Sequence, residues 1–411
     1  MRPANRRANL TPIGSAGSSV LGTNQRRVRD HNERLVLTMI HENGPLAKAE
    51  IARMSGLSAQ TVSVIMRSLE AEGLLTKCEP VRGRVGQPSV PMRLASRGAF
   101  FFGLKVGRRS ADLVLCDLKG MVLGRVRQVY QYPSPDSIVA FAISAATELT
   151  SLLGPDERAR LAGLGVAIPF RLWDWPKAVG VEPAYMEAWR DRDIAAELAE
   201  ALDLPVYLQN DGSAACAAEL IFGGKDRPQD FLYFFAGFFI GGGIVMDSVL
   251  LTGRTGNAAA LGPMPVEMQP GQFTHLLDVA SLNLLEANMA DRGLGAEGIW
   301  DNPDEWDVPE DLLSDWIEGS VEGLARATYS VCSVLELGHV IIDGWLPAAV
   351  RTEIALRLDK RFAALNWAGI DRPEVREGAI GSDARALGAA GLPLSETFLV
   401  KRNEFLRAAA P

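Results

Sequence analysis

The sequence is poor in the residues that bind metals and form disulfides. Its 411 residues include only four cysteines and four histidines, and these lie far apart along the chain. Because zinc and haem motifs need cysteines or histidines at close spacing, we expect no bound metal. A disulfide framework is also improbable, and we expect four thiols that are buried or incidental: Cys78, Cys116, Cys216 and Cys332.

Long apolar runs are also missing. No segment approaches the ~20 consecutive apolar residues that a membrane helix needs. The first 30 residues contain arginines but lack the apolar core of a signal peptide, so we expect a cytoplasmic protein without a membrane partner. The composition, 47% hydrophobic and 22% charged residues, is typical of a globular protein. The length of 411 residues predicts two or three domains.

Positive charge is scarce in most of the chain, whose formal net charge is −8. Residues 1 to 100 are the exception, with 15 Lys and Arg against 7 Asp and Glu, whereas the remainder has 27 against 43. A basic head on an acidic body indicates that the head contacts a polyanion and the body does not. A solvated basic tail is the alternative.

The basic head has the helix pattern of a DNA-binding module. After residues 1–29, which we expect to be a disordered basic arm, apolar residues recur at helical spacing up to Gly44-Pro45. A short helix follows, Gly56 forms a turn, and Ser58 opens a third helix that ends at Gly73. The outer face of this third helix has small polar side chains that fit a major groove, and Gln60 can pair with a base edge.

A segment rich in Gly and Arg completes the pattern of a winged helix-turn-helix over residues 30–97. The segment RGRVGQPS lies between the strand-like segments LLTKCE and VPMRL, as a wing does. Its arginines are placed for phosphate or minor-groove contact. The predicted contacts with double-stranded DNA are Ser58, Gln60, Thr61, Ser63, Arg67, Arg82 and Arg84. A three-helix module that binds protein is the alternative.

Residues 98–411 are predicted to form a duplicated α/β fold. Residues 101–130 read as a β-hairpin with its turn at 118–120, and helices and strands follow it. A second hairpin contains three glycines, and a helical region from His275 to about Leu337, a strand and a terminal helix come after it. Two such halves in succession predict two lobes with a cleft between them.

Six motifs follow the winged helix in a fixed order. They are LVLCDLKGMVL, LGVAIP, QNDGSAACAAE, IGGGIVMDSVLLTG, ALGPMPVE and GSDARALGAAG. In this order they resemble the ROK family, which unites sugar kinases with sugar-responsive transcriptional regulators. The resemblance runs from about residue 31 to 395 and implies a two-lobed actin-like (ribonuclease H-like) ATPase fold. It also implies that Asp211 matches the general base of the kinases and that Asn210 matches a sugar-binding residue.

The elements that bind nucleotide in the kinases of that family are altered in this sequence. An Asp-x-Gly-Gly-Thr turn becomes 105–109, where Lys105 and Arg109 replace the acid and the hydroxyl residue. A Gly-Thr-Gly loop becomes Gly-Phe238-Phe239, whose rings fill the space that lets phosphate approach the backbone. A late Gly-Gly-Gly turn becomes Asp-Gly-Trp345. The resemblance therefore implies a kinase-like cleft that has lost ATP binding, so we expect no enzyme activity.

The sugar side of the cleft is altered less uniformly. A Gly-Glu-Ile-Gly-His run of the family supplies a sugar-binding Glu and a His, and the match at 259–263 lacks both. The family's cysteine cluster for structural zinc has no cysteine at its place here. The expected ligand contacts are Asn210, Asp211, Asn257 and Trp189. Weaker candidates near the cleft are Arg171, Trp173 and Glu219.

Asp211 has two interpretations that are compatible with each other. It can contact a ligand in the cleft, where open α/β folds place ligands at the ends of strands. It can also cap the helix that starts at Gly212, because Asp before a run of small residues is a good N-cap.

The winged-helix pattern predicts a DNA-binding transcriptional regulator, and the resemblance implies that it represses genes of carbohydrate metabolism or transport. A sugar or sugar derivative in the cleft would change operator affinity. One recognition helix per chain predicts a palindromic operator and a homo-oligomer, dimer or tetramer. We expect no cofactor. Two alternatives remain, a ROK-like domain that only dimerises or binds a protein partner, and an active sugar kinase with an appended head.

Overall fold

The N-terminal region of the computed structural model has the predicted helices and paired strands. The structure describes residues 23–80, 89–174 and 181–400. Helices α1 (Thr23–Asn43), α2 (Lys48–Ser55) and α3 (Ala59–Ala71) come first. Strands β1 (Leu75–Lys77) and β2 (Met92–Leu94) then pair antiparallel, as the winged-helix pattern predicts. The wing residues Arg82 and Arg84 lie outside the described residues.

Local sequence explains where α2 ends and where α3 begins. Gly56 follows α2 with a φ of 70°, a left-handed conformation that glycine adopts without steric penalty. Ser58 caps α3, because its side-chain oxygen accepts a hydrogen bond from the Thr61 N–H at 3.1 Å. The predicted inward face of α3 is buried, namely Val62, Ile65, Met66 and Leu69.

Helix α1 begins earlier than the sequence pattern indicated. It starts at Thr23, so residues 23–29 of the expected disordered arm are helical. This stretch has no apolar period, which is why the pattern did not show it. At the end of this stretch, Arg29 forms an i,i+4 ion pair with Glu33 at 2.9 Å and also donates a hydrogen bond to Ser68 Oγ at 3.1 Å. Such pairs favour a helix where apolar packing is lacking.

The first lobe contains a five-stranded mixed sheet with the order β5-β4-β3-β6-β7. The strands β3, β4 and β5 are antiparallel neighbours, whereas β3, β6 and β7 run parallel. The strands and helices of this lobe are β3 (Phe100–Val106), β4 (Ser110–Asp117), β5 (Val122–Val129), α4 (Pro135–Thr150), α5 (Pro155–Arg158), β6 (Leu161–Ile168), α6 (Pro183–Glu187), α7 (Ile194–Leu202) and β7 (Val206–Asn210). Helix α8 (Asp211–Phe222) follows directly.

The second lobe repeats this sheet topology, with the order β10-β9-β8-β13-β14. Again three strands are antiparallel, and β8, β13 and β14 run parallel. Its elements are β8 (Phe231–Ala236), β9 (Gly241–Met246), β10 (Val249–Leu250), β11 (Pro265–Gln269), β12 (Gln272–His275), α9 (Leu277–Ala280), α10 (Leu282–Asp291), α11 (Glu297–Asp301), α12 (Glu310–Cys332), β13 (His339–Gly344), α13 (Ala348–Ala363), β14 (Glu374–Glu377) and α14 (Ala384–Phe398).

The repeated topology confirms the predicted α/β fold with two lobes, and two details of the prediction were wrong. Residues 100–129 form three strands with turns at 107–109 and 118–121, not one hairpin. The first turn was missed because GRR lacks the usual turn signals beyond one glycine. The helical region from His275 to Leu337 is interrupted into four helices, and the β11–β12 hairpin precedes it.

Helices α8 and α14 form a layer between the two sheets, and small residues allow their contact. A Cβ atom on Gly388 of α14 would lie 1.8 Å from the carbonyl oxygen of Ala214 in α8. A Cβ atom on Gly165 of β6 would lie 1.8 Å from the carbonyl oxygen of Ala389. On the other side, a Cβ on Gly243 of β9 would lie 2.5 Å from Cβ of Cys216. The helix pair therefore touches backbone to backbone.

The same two helices reach the winged-helix region. The carbonyl oxygen of Ile221, near the end of α8, lies 2.8 Å from Nε2 of His41 in α1. Just after α14, the N–H of Val400 donates to Thr38 Oγ1 of α1 at 3.0 Å. One buried cluster includes Leu37 and Ile40 of α1 together with Ala390 and Leu394 of α14. The winged helix thus shares a core with the first lobe.

Gly388→Ala is expected to destabilise the protein. The added methyl group would overlap the backbone of Ala214, and overpacking of this kind lowers the free energy of unfolding by roughly 1–3 kcal/mol or more. Thermal unfolding followed by circular dichroism measures the effect as a lower Tm.

Gly298→Ala is the matched control, because a Cβ atom on this helical glycine meets nothing within 4 Å. Its Tm should stay level or rise, since alanine favours a helix over glycine by about 1 kcal/mol. A Gly388→Ala protein as stable as the control would contradict the close contact of α8 with α14.

Candidate ligand site and nucleic-acid interface

A cavity of about 300 Å³ lies between the lobes at the N-terminal end of α8. Both lobes line it, the first through the β3–β4 turn and residues 169–172, the second through the β8–β9 turn and residues 257–263. Three of the four predicted ligand contacts line this cavity: Asn210, Asp211 and Asn257. The position is the one at which strand ends and a helix N-terminus offer hydrogen-bonding groups to a ligand.

Asn210 caps α8, whereas Asp211 is free of that role. The Oδ1 atom of Asn210 accepts from the N–H groups of Gly212 at 3.1 Å and Ser213 at 3.4 Å. Asp211 is the first helical residue, and its Oδ2 lies 3.5 Å from Nη1 of Arg385. The capping interpretation of Asp211 is therefore wrong, because the residue before it already satisfies the first N–H groups of the helix.

Trp189 does not belong to the cavity, so this predicted ligand contact was wrong. Only 6% of its surface is exposed, and it packs in the core of the first lobe. Its Nε1 donates to the carbonyl oxygen of Pro133 at 3.0 Å. A buried indole needs such a partner, and its large apolar area favours the core over the cavity wall. The ring therefore supports Pro133, which lines the cavity, from behind.

The β3–β4 turn, the β8–β9 turn and two helices of the second lobe hold a cluster of arginine, aromatic and glutamate side chains. We call Arg108, Arg109, Phe238, Trp300 and Glu286 the Arg–aromatic cluster. The guanidinium carbon of Arg108 lies 4.0 Å from the centre of the Phe238 ring. The centres of the Phe238 and Trp300 rings are 5.6 Å apart. Arg109 stacks on Trp300 at 5.6 Å and forms an ion pair with Glu286. The cluster joins the β3–β4 turn to the second lobe.

Lys105 is buried below this turn and has an internal partner. Its Nζ donates to Ser110 Oγ and to Asp112 Oδ2, both at 2.9 Å. Burial lowers the pKa of Lys105 to about 8, and the positive charge of Arg385 contributes. The position that resembles the metal-side acid of the kinases is thus part of a buried ion pair, and Lys105 does not line the cavity.

Trp345 fills the space next to β13. It is 9% exposed, and its Nε1 donates to the carbonyl oxygen of Ile299 at 2.7 Å. Arg127 of the first lobe lies 5.4 Å from its ring and donates to the carbonyl oxygen of Trp300 at 3.2 Å. The indole is therefore fixed by protein groups on both sides, as the replacement of the glycine turn implies.

Two further arginines line the cavity. Arg385 was not among the residues predicted from the sequence, and Arg171 was only a weaker candidate. Arg385, at the start of α14, lines the cavity and stacks on Phe235 at 4.8 Å. Its sequence motif predicted a terminal helix but did not indicate which way the Arg385 side chain points. Arg171 lines the cavity with a φ of 61°, in the left-handed region. Glu219 is buried elsewhere, where its Oε2 accepts from the Ala379 N–H at 2.9 Å and burial raises its pKa to about 7.

The predicted DNA-contact face of α3 lies at the surface, although some of its groups also have local partners. Ser58 and Thr61 share a hydrogen bond of 2.8 Å between their hydroxyl groups, and Arg67 Nε donates to the Ser63 carbonyl oxygen at 3.1 Å. Gln60 is exposed. Sequence reasoning missed two further groups on or beside this face. They are Val64, which is 51% exposed, and Lys48, whose Nζ lies 3.4 Å from Ser63 Oγ.

Two kinds of feature, a membrane-spanning helix and a metal-binding cluster, are missing from the part of the chain that the structure describes. Within those ranges, no helix combines the length and the apolar character needed to span a bilayer. The same residues contain no group of three or more His, Cys, Asp or Glu side chains placed to hold a metal ion. His275 lies at the surface 3.9 Å from Asp278.

Two family models match the sequence. The model described as the ROK family matches residues 101–283, and a model described as winged helix-turn-helix DNA-binding matches residues 29–76. The second match covers α1 from residue 29 onward, α2, α3 and most of β1. The first covers the sheet of the first lobe, α8 and the cavity side of the second lobe.

Several relatives are similar to this chain over much of its length. An uncharacterized protein of Sinorhizobium fredii is 26% identical over 375 residues, 89% of this chain and 91% of that protein. The xylose repressor of Bacillus subtilis is 25% identical over 241 residues, 58% of this chain and 62% of the repressor's own length. The N-acetylglucosamine repressor of Escherichia coli is 24% identical over 290 residues, 68% of this chain and 67% of that repressor.

Solved structures share the fold. A ROK family transcriptional regulator described as a homolog of the Escherichia coli MLC protein superposes with a TM-score of 0.62 at 18% identity, covering 90% of this chain and 97% of that chain. A ROK family glucokinase from Streptomyces griseus, solved with glucose and AMPPNP, gives a TM-score of 0.53 at 18% identity and covers 72% of this chain and 99% of the kinase. The chain therefore combines a region similar to winged helix-turn-helix DNA-binding domains with a region similar to the ROK family, and it shares the fold of these ROK family structures.

Proposed function

We propose that the protein is a DNA-binding transcriptional regulator of carbohydrate genes, that it acts as a repressor, and that its ROK domain binds a sugar-type ligand without catalysing phosphoryl transfer. The observation that carries this proposal is the union of a winged helix with a kinase-like domain whose phosphate turns hold the Arg–aromatic cluster. Similar proteins that are named as repressors of xylose and N-acetylglucosamine genes support it.

The Arg–aromatic cluster argues against phosphoryl transfer on physical grounds. Catalysis of this reaction depends on backbone N–H groups, a magnesium ion and positive side chains that surround the phosphates. Here the ring of Phe238 and the guanidinium of Arg108 contact each other at 4.0 Å in place of an open glycine loop. A desolvated cation–π contact contributes about 2 kcal/mol, so opening the site for nucleotide would oppose this interaction.

The geometry also supports a route from the cavity to the DNA-binding region. Asp211 and Arg385 lie at the N-terminal ends of α8 and α14, beside the cavity. The opposite ends of these helices contact α1 through His41 and Thr38. A ligand that shifts the helix pair would therefore move α1, which packs against the recognition helix α3. In a homodimer this movement would change the spacing of two recognition helices on a palindromic operator.

Calorimetric titration of the full-length protein with Mg-ATP is expected to give no saturable heat, because the phosphate turns are filled by side chains. No phosphate should be transferred to glucose, xylose or N-acetylglucosamine in the same solution. ATP binding followed by formation of a sugar phosphate would refute the proposal that the ROK domain is not an enzyme.

Gln60→Ala is expected to weaken binding to the protein's own operator on the order of 10-fold and to relax base preference at one position of each half-site. The operator is obtained by sequencing the genomic DNA that the purified protein retains. Gln272→Ala, the same substitution at an exposed position of the second lobe, is the control and should change neither quantity. If both variants bind selected DNA equally well, α3 is not the helix that reads the groove.

His41→Phe tests the contact between α8 and α1. Burial lowers the pKa of His41, so the ring is neutral at pH 7 and its Nε2–H donates to the Ile221 carbonyl oxygen. Phenylalanine keeps the ring contact with Phe222 but removes the donor. The ligand-induced change in operator affinity should fall about 2- to 10-fold, while affinity without ligand changes less.

Fluorescence anisotropy of labelled operator, with and without ligand, measures that change. Thr38→Val removes the corresponding contact after α14 and should have the same effect. Thr352→Val is the matched control, since its hydroxyl group bonds to Glu377 far from α1. Unaltered coupling in both the His41 and the Thr38 variants would exclude these contacts as the route.

A further inference from the structure

The cavity is positive in a protein that is negative as a whole. Its charged lining residues are Arg108, Arg171, Arg385 and Asp211, three cations against one anion, whereas the chain carries a formal net charge of −8. A concave site of one sign, with low-dielectric walls, concentrates ligands of the opposite sign. The apolar part of the lining includes Phe170, Phe235 and Phe238, so the field inside is weakly screened.

Arg108 has no ion pair within the described residues. Its Nε and Nη1 atoms are enclosed without a hydrogen-bond acceptor, and its guanidinium rests on the Phe238 ring. Burial and the neighbouring charge of Arg109 lower the pKa of Arg108 to about 10. Arg108 is half-buried, and its two enclosed, unpaired donors are destabilising, so an anionic acceptor at this position would remove that penalty.

Arg385 is only partly paired. Its contact with Asp211 is 3.5 Å long, its Nε has no acceptor among the described residues, and its side chain is 14% exposed. The long contact leaves hydrogen-bonding capacity on both sides. Arginine presents a planar fork of donors that matches carboxylate and phosphate groups.

Neutral polar side chains are few in the same cavity. The wall at residues 259–263 consists of Ala, Ala, Leu, Gly and Pro, none of which has a polar side chain. Asp211 and Asn257 are available for hydroxyl groups. The lining therefore has more cationic side chains, three arginines, than carboxylates that could accept from hydroxyl groups.

We propose that the ligand of this cavity is an anionic carbohydrate, a sugar that bears a phosphate or a carboxylate group. The anionic group pairs with Arg108 and Arg385, and sugar hydroxyl groups contact Asp211 and Asn257. This inference rests on the proposed sensing function and narrows its ligand class. A volume of about 300 Å³ is at the lower end of the range of small-molecule sites, so a single sugar unit fits it better than an oligosaccharide.

Calorimetric titration of the full-length protein with matched pairs of sugars tests the inference. The pairs are glucose with glucose 6-phosphate and with glucuronate, N-acetylglucosamine with its 6-phosphate, and xylose with xylose 5-phosphate. At least one anionic member should bind on the order of 10- to 100-fold tighter than its neutral parent, because charge-assisted hydrogen bonds to arginine distinguish them. Comparison of phosphates with glucuronate distinguishes the two sources of the charge.

Variants locate the anion in the cavity. Arg108→Met keeps an apolar contact with Phe238 and removes the charge, and it should reduce affinity for the anionic sugar roughly 10-fold or more. Arg385→Lys keeps a charge but loses the fork and should give a smaller loss. Arg109→Met is the matched control, because it removes an equal charge from the neighbouring residue, which pairs with Glu286 and does not line the cavity.

Three results would overturn the inference. They are binding of the neutral sugar at least as tightly as its anionic partner in every pair, absence of binding by every anionic sugar of the panel, and equal losses in the Arg108 and Arg109 variants. The proposed function fails separately, if the protein retains no specific genomic DNA. A protein that binds operator and responds to a neutral sugar would keep the proposed function and refute the anionic ligand.

Discussion

The backbone contact between α8 and α14 is the constraint on which the rest of this structure depends. Gly388 and Ala214 approach so closely that a single methyl group at position 388 has no room. Small residues on both helices let the two five-stranded sheets pack closely against them, one sheet on each side. Gly165 of one sheet lies against Ala389, and Gly243 of the other lies against Cys216. The two helices also run in the same direction. Their N-termini therefore lie at one cavity, and their C-terminal ends lie at α1.

Side chains at the cavity connect the two lobes directly. Here Arg108 and Arg109 of one turn contact Phe238, Trp300 and Glu286 of the other lobe. These contacts link the β3–β4 turn of the first lobe to the second lobe without any bound group. The remaining space lies on the sugar side, where Asn210, Asp211 and Asn257 are found.

Much of the fold could be predicted because local signals agreed with tertiary structure. Ser58 and the period of Val62, Ile65 and Met66 defined α3, and alternation defined most strands. Orientation could not be predicted in the same way. Trp189 follows α6 in a polar segment, yet its ring packs into the core, and Arg385 belongs to a helix motif but lies at the cavity. Both outcomes depend on how separate elements meet, which periodicity in one segment does not encode.

Asp211 retains the position of a base but works within a different set of neighbours. It is in the first turn of α8, where the helix dipole favours a negative charge, and its partner Arg385 is in the first turn of α14. Their contact of 3.5 Å therefore joins the ends of the two helices that lead to the DNA-binding region. A ligand that hydrogen-bonds to either side chain competes with this contact. Under the proposed function, recognition of a ligand at Asp211 would act on both helices at once, a role that requires no proton transfer.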